Sequence, residues 1–574
     1  MITKTIAEIF RNIAKILEIK GENVFRIRAY ERAAQNIESL AEDIQGLINE
    51  NRLTDIPGIA EDLAGKIKEI VKTGKLKFFE ELKKSVPPGL LDLLNIPCVG
   101  PKHAKLFYEK LKIKSVSQLQ TAAREGKLLG LEGIKEKTVE NILKGIDLLK
   151  KGRERMDLAT AISGARELIK GLQNGLPNIK QISACGSLRR MKETVRDIDI
   201  LAVSDEPEKV MDAFVNLPQV KDVTAQGVTK SSIITEEWAQ VDLRVVEAKS
   251  YGAALMYFTG SKNFNIKIRQ RAIKKGLKVN EYGVFSAKGN KETYICGKTE
   301  EEVFKRLGLS YIEPELREDS GEIELAAKNK LPQLLTLEDI KGDFHAHSKY
   351  SDGQDSILEM AQAAQGLGYQ YINISDHSQG LKVAGGLSIE DLKKKKVEIE
   401  KINSGLKDFK VLFGSEVDID SEGKLDYPDK VLDEFDVVVA AVHSGFKQSK
   451  AQLTRRLVKA CKNKFVDILA HPTGRLWGTR ESYEIDFDLL FKAASDYGTV
   501  LEINAYPLRL DLDCAVCHKA KEKGLKLAIG TDSHMASQLK YIAYGVAMAR
   551  RGWLAKDDVI NTLSYEEVMK LFKK

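Results

Sequence analysis

Six of the eight histidines of this 574-residue chain lie at the ends of short apolar runs, with acidic residues among them. A single histidine beside a strand is usually a core residue, but this repetition favours a metal site. Imidazole and carboxylate ligands together suit Mn²⁺, Zn²⁺ or Fe²⁺ better than Mg²⁺. The candidate ligands are His345, His347, Asp352, His377, Glu416, His443, His471, Asp532 and His534.

Three aspartates in the middle of the chain form a second candidate site. Asp197 and Asp199 in RDIDIL are two residues apart on a predicted strand and therefore share a face. Asp242 lies between apolar residues in QVDLRVV, on another predicted strand. Any one of them alone could be an ordinary strand-edge charge. Carboxylates on one face are costly unless cations neutralise them, which favours divalent metal ions.

The histidine-rich region needs elements that bring its ligands together. Seven apolar runs alternate there with helical patterns, which predicts parallel βα units closing into a barrel. A parallel barrel carries its chemistry at the carboxyl ends of the strands. In the first run, GDFHAH, two histidines at i and i+2 would face one cation. The runs are GDFHAH, YINISDH, KVLFGSE, DVVVAAVH, VDILAH, TVLEIN and KLAIGTDSH.

The first 150 residues are predicted to be helices joined by short loops. Three segments place a tight glycine turn (Gly58, Gly100 and Gly133) before a helix whose first amides can bind an anion. They resemble the helix-hairpin-helix motif, which implies binding to DNA phosphates without reading sequence. Ala60 and Cys98 depart from the glycine preferred by that motif.

Composition and charge agree with a nucleic-acid-binding front half. Hydrophobic residues make up 43% and charged residues 30%, and the net charge is +7. Residues 1–300 hold 51 Lys and Arg against 39 Asp and Glu, whereas 301–340 hold 5 against 10. The acidic stretch 313–332 therefore reads as a linker. The charged N-terminus is neither a signal peptide nor a membrane span, so we expect a cytoplasmic protein.

The ordered set GSLRR, RDIDIL, VDLRVV, MYFTGSKNFN and NEYGVF strongly resembles family X DNA polymerases. The resemblance covers about residues 1–316 and implies nucleotidyl transfer from deoxynucleoside triphosphates to gapped or primer-template DNA. By this resemblance Asp197, Asp199 and Asp242 hold two Mg²⁺ or Mn²⁺ ions. It also implies nucleotide contacts from Gly186, Ser187, Arg190, Tyr257, Phe258, Gly260, Asn265 and Arg269.

Two lysines bear on this resemblance. Lys262 stands where polymerase beta has an aspartate. Lys66 matches a lysine that removes 5′-deoxyribose phosphate in some relatives, with Tyr30 and Arg26 nearby in that pattern. Asp62 replaces a basic residue of the lyase-active relatives, and a helical lysine is usually a solvated charge.

Residues 338–574 closely resemble the polymerase and histidinol phosphatase (PHP) domain, a metallophosphoesterase with a distorted (β/α)7 barrel. The resemblance implies three transition metals, Mn²⁺ or Zn²⁺. One would lie among His345, His347, Glu416 and Asp532, and Glu416 would bridge to a second held by His443 and His471. Asp352, His377 and His534 would hold the third. Arg475 and Arg480 are either a phosphate clamp or part of a surface loop.

The expected organisation is multidomain. It comprises a helical domain (1–85), a helix-hairpin-helix fingers domain (86–150), an α+β palm (151–255), a thumb-like domain (256–316), a linker (317–337) and the barrel (338–574). We expect a monomeric, gap-filling repair polymerase with a 3′–5′ exonuclease or abasic-site phosphoesterase activity. The alternatives are a phosphoesterase whose polymerase half only binds DNA, and a non-enzymatic repair scaffold.

Overall fold

The computed structural model divides the chain into two compact units. The first comprises Met1–Arg153 with Gly478–Arg480, and the second comprises Glu154–Trp477 and Glu481–Lys574. The structure describes residues 2–38, 44–56, 58–87, 89–94, 96, 99–136, 138–140, 142–143, 145–146, 155–176, 178–236, 239–286 and 292–572.

The first unit is built from helices around one apolar core. Buried residues from Ile6 to Ile146 belong to this single cluster. Gly58 and Gly133 have φ values of 77° and 78°, which an L side chain rarely adopts, so both turns need glycine. The helices are Ile2–Lys20, Val24–Glu38, Ile44–Asn49, Glu61–Thr73, Lys77–Lys84, Leu90–Leu93, Pro101–Leu111 and Val116–Arg124, followed by helical residues between 136 and 146.

The predicted hairpins have the expected turn followed by a helix. Helix Glu61–Thr73 begins after Ala60, and helix Pro101–Leu111 begins after Gly100. Neither capping residue accepts a side-chain hydrogen bond from the helix, which leaves the first amides available to an anion. Cys98 lies outside the described residues.

The second unit begins with an α+β layer. Its strands are β1 (Met156–Asp157), β2 (Gln181–Ala184), β3 (Thr194–Val195), β4 (Asp197–Val203), β5 (Val220–Gln226), β6 (Lys230–Thr235) and β7 (Gln240–Val246). Five of them form a sheet in the order β2-β4-β7-β6-β5, and β1 pairs with β3. Only the central pair β4 and β7 is parallel in that sheet. The helices are Leu158–Gly175, Gly186–Arg189, Pro207–Val215 and Tyr251–Thr259.

A smaller antiparallel sheet follows, with β8 (Leu277–Asn280), β9 (Gly283–Ser286) and β10 (Thr293–Cys296) in sequential order. Helices Lys262–Lys274 and Glu300–Arg306 pack beside it around buried Phe264 and Phe304. The acidic stretch predicted to be a linker is packed in this region. Arg317 and Glu322 are fully buried, and a short helix spans Glu322–Ala326.

The predicted barrel is present, with seven parallel strands in sequential order. Ala346 pairs with Ser533, and the Asp532 amide donates to the His345 carbonyl at 2.8 Å, so the first and last strands meet. The strands are β11 (Gly342–Ala346), β12 (Tyr371–Ile374), β13 (Lys410–Asp418), β14 (Val437–Ala441), β15 (Ile468–Leu469), β16 (Val500–Asn504) and β17 (Leu527–Gly530). The helices are Ile357–Gly366, Ile389–Gly405, Asp429–Leu432, Lys450–Cys461, Phe487–Tyr497, Cys514–Glu522, Ile542–Arg551 and Tyr565–Leu571.

The α+β layer and the barrel share buried apolar side chains. Leu158 and Val241 belong to the same continuous cluster as Ile372 and Leu501. The second unit therefore joins the regions predicted as palm, thumb, linker and barrel. The finer domain boundaries remain predictions. Among the described residues, no helix is both long and apolar enough to cross a membrane.

Candidate active sites

The first site lies on the parallel pair β4 and β7. Asp199 is directly opposite Asp242, and Asp197 is opposite Gln240, so the three predicted carboxylates lie on neighbouring strands. Burial, followed by repulsion from Asp197 and Asp242, raises the pKa of Asp199 to about 6. A divalent cation would relieve this repulsion.

Asp242 is held in its ionised form by polar neighbours. Burial acts to raise the pKa of Asp242, but hydrogen bonds from Ser232, Gln240 and Lys230 lower it overall. Lys230 Nζ lies 3.2 Å from one carboxylate oxygen, and Gln240 Nε2 donates to the other at 3.3 Å. The pKa values of the neighbouring Asp199 and Asp242 are therefore shifted in opposite directions. Such perturbed pKa values are common among the carboxylates of active sites.

Gly186 lies against this site. A Cβ atom on Gly186 would stand 2.3 Å from Asp199 Oδ2, and the residue has a φ of +62°. Glycine is therefore required twice at this position, by its backbone conformation and by the close approach of the carboxylate. The predicted nucleotide contacts Gly186 and Ser187 open the helix Gly186–Arg189 beside the aspartates.

Four of the other predicted nucleotide contacts lie on two consecutive helices. Tyr257 and Phe258 lie in the last turn of the helix Tyr251–Thr259, with ring centroids 5.2 Å apart in an edge-to-face arrangement. Asn265 Nδ2 donates to the Tyr257 carbonyl at 2.6 Å, whereas Asn265 Oδ1 is buried without a hydrogen bond. Arg269 lies one turn further along the helix Lys262–Lys274.

Arg190 is also positioned by its surroundings. It donates to the Thr259 carbonyl and forms an ion pair with Glu318 at 3.0 Å. A Cβ atom on Gly260 would stand 3.0 Å from Arg190 Nη1, so glycine there leaves room for the guanidinium. The structure brings Arg190 and Gly260 together, as the sequence motifs suggested.

The second site lies at the carboxyl ends of the barrel strands. Glu416, on β13, is buried and lies at the centre of five histidines. Its carboxylate oxygens are 3.4 Å from His345 Nε2, 3.6 Å from His347 Nε2, 2.9 Å from His377 Nδ1, 3.1 Å from His443 Nε2 and 2.9 Å from His471 Nε2.

The remaining predicted ligands extend this cluster. Asp352 Oδ2 lies 3.3 Å from His534 Nε2 and 3.5 Å from His377 Nε2. Asp532 Oδ1 lies 3.4 Å from His347 Nε2. Three ligand groups have atoms close enough to share an ion: His347, Asp352, His377 and His534; His345, His347 and Asp532; and His377, Glu416 and His443. His377 thus approaches Glu416 as well as Asp352, and the division of ligands among metals remains a prediction.

The donor set fits divalent metal ions. His345 Nε2, both ring nitrogens of His347, His471 Nδ1 and Glu416 Oε2 are buried without a hydrogen bond. Buried polar atoms without partners are costly, and a cation would satisfy them. Burial, and then His534 and His377, lowers the pKa of His347 to about 4. At His377 burial acts in the same direction, but Glu416 and Asp352 outweigh it and raise the pKa to about 10. A bound cation would favour the neutral form of both imidazoles.

Two residues of this site were missed by sequence reasoning. Glu502, on β16, has one carboxylate oxygen 2.6 Å from His345 Nδ1, and its other oxygen accepts from the His471 amide at 2.6 Å. A carboxylate in this place orients a ligand histidine. Its signal was the acid within TVLEIN, the apolar run to which no ligand was assigned.

Arg509 is the second missed residue. Its Nε donates to Asp532 Oδ2 at 3.1 Å, and its Nη1 is buried without a hydrogen bond. It lines a cavity of about 430 Å³ together with the histidines and Tyr506. Arg475, a predicted phosphate clamp, instead donates to the Arg509 carbonyl at 2.7 Å. No spacing signal marks Arg509, because a lone arginine after a strand usually lies in solvent.

Lys66 belongs to the first unit, whereas the candidate metal ligands of both sites belong to the second. Its ammonium pairs with Asp62 and lies 6.0 Å from the ring centroid of Tyr30 and 5.4 Å from that of Phe78. The lysine, the tyrosine and Asp62 are therefore neighbours, as the sequence pattern suggested.

Comparison with known proteins agrees with this architecture. Residues 1–76 match a helix-hairpin-helix domain, 90–147 a SAM-like helix-hairpin-helix tandem, 254–318 a DNA polymerase beta thumb, and 343–506 a PHP domain. The chain is 25% identical to DNA polymerase lambda of Rattus norvegicus over 342 residues, covering 54% of this chain and 56% of the relative. It is 31% identical to a probable phosphatase of Thermoanaerobacter sp. (strain X514) over 231 residues, covering 38% and 89%.

These features define the class of family X DNA polymerases that carry a PHP domain. Over all 574 residues the chain is 40% identical to the DNA polymerase/3′-5′ exonuclease PolX of Bacillus subtilis (strain 168), covering 100% of this chain and 99% of the relative. The chain therefore belongs to the PolX family.

Proposed function

We propose that this protein fills short DNA gaps at the aspartate site and trims 3′ ends by phosphodiester hydrolysis at the histidine-rich site. The observation that carries the polymerase assignment is the register of β4 and β7, which sets Asp199 against Asp242 beside Gly186. That arrangement suits two cations acting on a triphosphate.

At the aspartate site, Asp197, Asp199 and Asp242 would hold two Mg²⁺ or Mn²⁺ ions. When bound, such ions supply charge neutralisation at the triphosphate and acidify the primer 3′-hydroxyl. The positive charge of the bound cations would favour the ionised form of Asp199. The hydrolytic site would hold three Mn²⁺ or Zn²⁺ ions through the nine ligands predicted from the sequence.

The chain's own residues would position the nucleotide. Ser187 and Arg190 would bind the triphosphate, whereas Tyr257 and Phe258 would pack against its sugar. Asn265 and Arg269 would contact the minor groove of the nascent base pair, and Gly260 keeps room for Arg190.

The helix-hairpin-helix turns at Gly58, Gly100 and Gly133 would bind the DNA backbone through main-chain amides. The Lys66 amine, once deprotonated, would form a Schiff base at C1′ of a 5′-deoxyribose phosphate with loss of water, and elimination of the 3′-phosphate of the DNA would then release the sugar. A monomer is sufficient for these activities, because one chain supplies both sets of ligands.

At the barrel site, Glu502 would orient His345, and Arg509 would bind the scissile phosphate. The free Nη1 of Arg509 supports this role, since arginine is suited to bidentate binding of phosphate. Metal ions bound there would activate water and stabilise charge on the phosphate. Tyr506 would contribute an aromatic surface for the terminal nucleotide.

A gapped duplex with a labelled primer tests this proposal. With deoxynucleoside triphosphates and either Mg²⁺ or Mn²⁺, the primer should lengthen to fill the gap. With Mn²⁺ but without deoxynucleoside triphosphates, the primer should shorten from its 3′ end. Shortening without extension under any condition would favour the phosphoesterase alternative. DNA binding with neither activity would favour a scaffold. Metal analysis of the purified protein would identify the ions of the barrel site.

A further inference from the structure

The acidic segment between thumb and barrel is held by the last turn of the helix Ile542–Arg551. Arg550 Nε lies 2.7 Å from Glu315, and Arg550 Nη2 lies 3.4 Å from Glu313. Arg550 Nη1 also donates to the Leu335 carbonyl at 3.0 Å. Arg550 on the barrel therefore binds this segment through two ion pairs and one hydrogen bond.

The next arginine reaches into the polymerase part of the same unit. Arg551 Nη1 lies 3.2 Å from Glu318 Oε1 and donates to the Arg190 carbonyl at 2.6 Å. The same Glu318 oxygen lies 3.0 Å from Arg190 Nε and 3.7 Å from Lys192 Nζ. One carboxylate oxygen is thus shared by a barrel arginine and by the arginine proposed to bind the triphosphate.

This junction is largely shielded from water. The side-chain exposures are 3% for Arg551, 12% for Arg190 and 23% for Glu318. Interactions between charges are stronger where water is excluded. The strength of the ion pair between Glu318 and Arg190 therefore depends on whether Arg551 also pairs with Glu318. A triphosphate arriving at Arg190 would compete with Glu318 for that guanidinium.

We propose that Arg551 is a positioning residue for nucleotidyl transfer, which limits the hold of Glu318 on Arg190 and thereby raises the affinity for the incoming triphosphate. This inference rests on the proposed polymerase function. Without Arg551, Glu318 loses its second guanidinium and pairs more strongly with Arg190. The Arg190 carbonyl also loses its donor, so the end of the nucleotide-binding helix is held less firmly.

Single-nucleotide insertion into a gapped duplex by the full chain tests this proposal. Arg551→Gln should raise KM for the nucleotide about tenfold, with kcat changed by less than roughly twofold, since a ground-state contact is affected. Adding Glu318→Gln to Arg551→Gln should return KM to the wild-type value or below it, because the competing carboxylate is neutralised. Arg550→Gln, on the same helix end but without contact to Glu318, is the matched control and should leave KM unchanged.

Several results would overturn the proposal. These are an unchanged KM in Arg551→Gln, an equal rise in Arg550→Gln, or no rescue by Glu318→Gln. If Arg551 had a purely structural role, Arg551→Gln would lower the melting temperature. It would also slow both nucleotide insertion and the shortening of single-stranded DNA. If Arg551→Gln does not fold, Glu318→Gln alone decides: KM should fall, and an unchanged or higher KM contradicts the proposal. Failure of the wild-type chain to insert nucleotides would instead refute the proposed function.

Discussion

At the scale of the residue, the two sites depend on residues that do not themselves bind metal. Gly186 makes room for Asp199, the Glu502 carboxylate lies beside His345, and Arg509, which lines the cavity, has a guanidinium nitrogen without a hydrogen bond. The sequence predicts these candidate ligands because aspartates at i and i+2 and histidines at strand ends are visible patterns. Glu502 and Arg509 were not predictable in this way, since their roles follow from three-dimensional neighbours rather than spacing.

Substituting Gly186 by alanine should damage the aspartate site. The new Cβ would lie 2.3 Å from Asp199 Oδ2 at a φ of +62°, so the carboxylate must shift and the backbone is strained. We expect extension to fall roughly hundredfold and the fold to lose about 1–2 kcal/mol. Gly175→Ala is the matched control, because nothing lies within 4 Å of its Cβ position. Equal extension by the two variants would contradict the geometry of this site.

Substituting Arg509 should impair hydrolysis alone. Arg509→Met removes a phosphate donor, and we expect shortening of single-stranded DNA to slow roughly hundredfold, as for loss of one transition-state donor. Arg455→Met, an exposed arginine on the helix Lys450–Cys461, should have no effect. Metal content is measured in parallel. Hydrolysis by Arg509→Met at the wild-type rate would refute a direct role of Arg509 in phosphate binding. A loss of bound metal large enough to explain slower hydrolysis would refute it as well.

At the scale of the element, the helix and strand patterns were largely readable. The seven barrel strands and the hairpin helices follow from apolar periodicity and glycine turns. The packed structure of the stretch 313–332 could not be predicted from the sequence, because its acidic composition is typical of a solvated linker. Its partners Arg550 and Arg551 lie more than 200 residues further along the chain. Only the fold reveals that these charges are paired and that Arg317 is buried.

The same segment contributes to a buried ion cluster that predicts pH-dependent stability. Glu300 pairs with Arg189 at 2.7 Å and with Arg317 at 2.6 Å. Burial opposes ionisation, but both arginines outweigh it and lower the pKa of Glu300 to about 2. Since this is below its ordinary value of 4.5, the stabilisation is complete above about pH 4.5 and is lost as the pH falls towards 2.

Melting temperatures of the wild type and Glu300→Gln, measured from pH 7 to pH 3, test this effect. The ion cluster is worth about 3 kcal/mol at neutral pH on the scale of the pKa change. The wild type should melt well above the variant at pH 7, and the gap should narrow below about pH 4.5. Glu301→Gln, an exposed neighbour, should track the wild type throughout. A gap independent of pH would show that Glu300 acts through packing rather than charge.

At the scale of the whole molecule, the second unit holds two chemically different sites over one continuous apolar cluster. The aspartate site is built of carboxylates alone, which suits Mg²⁺, whereas the barrel site mixes imidazole and carboxylate, which suits transition metals. The sequence predicts both candidate sites, because their proposed ligands differ in type and lie in separate segments. It could not predict the contact of Arg551 with Glu318, which links the two parts.

The central claim is that one chain carries two independent active sites, and reciprocal variants test it most directly. One sample carries Asp197→Ala with Asp199→Ala, the other His345→Ala with His347→Ala, and each is assayed on one gapped duplex with and without nucleotides. We predict that the first loses extension but still shortens the primer, and that the second extends but does not shorten. Retained extension in the first, or loss of both activities in either folded variant, would contradict the account.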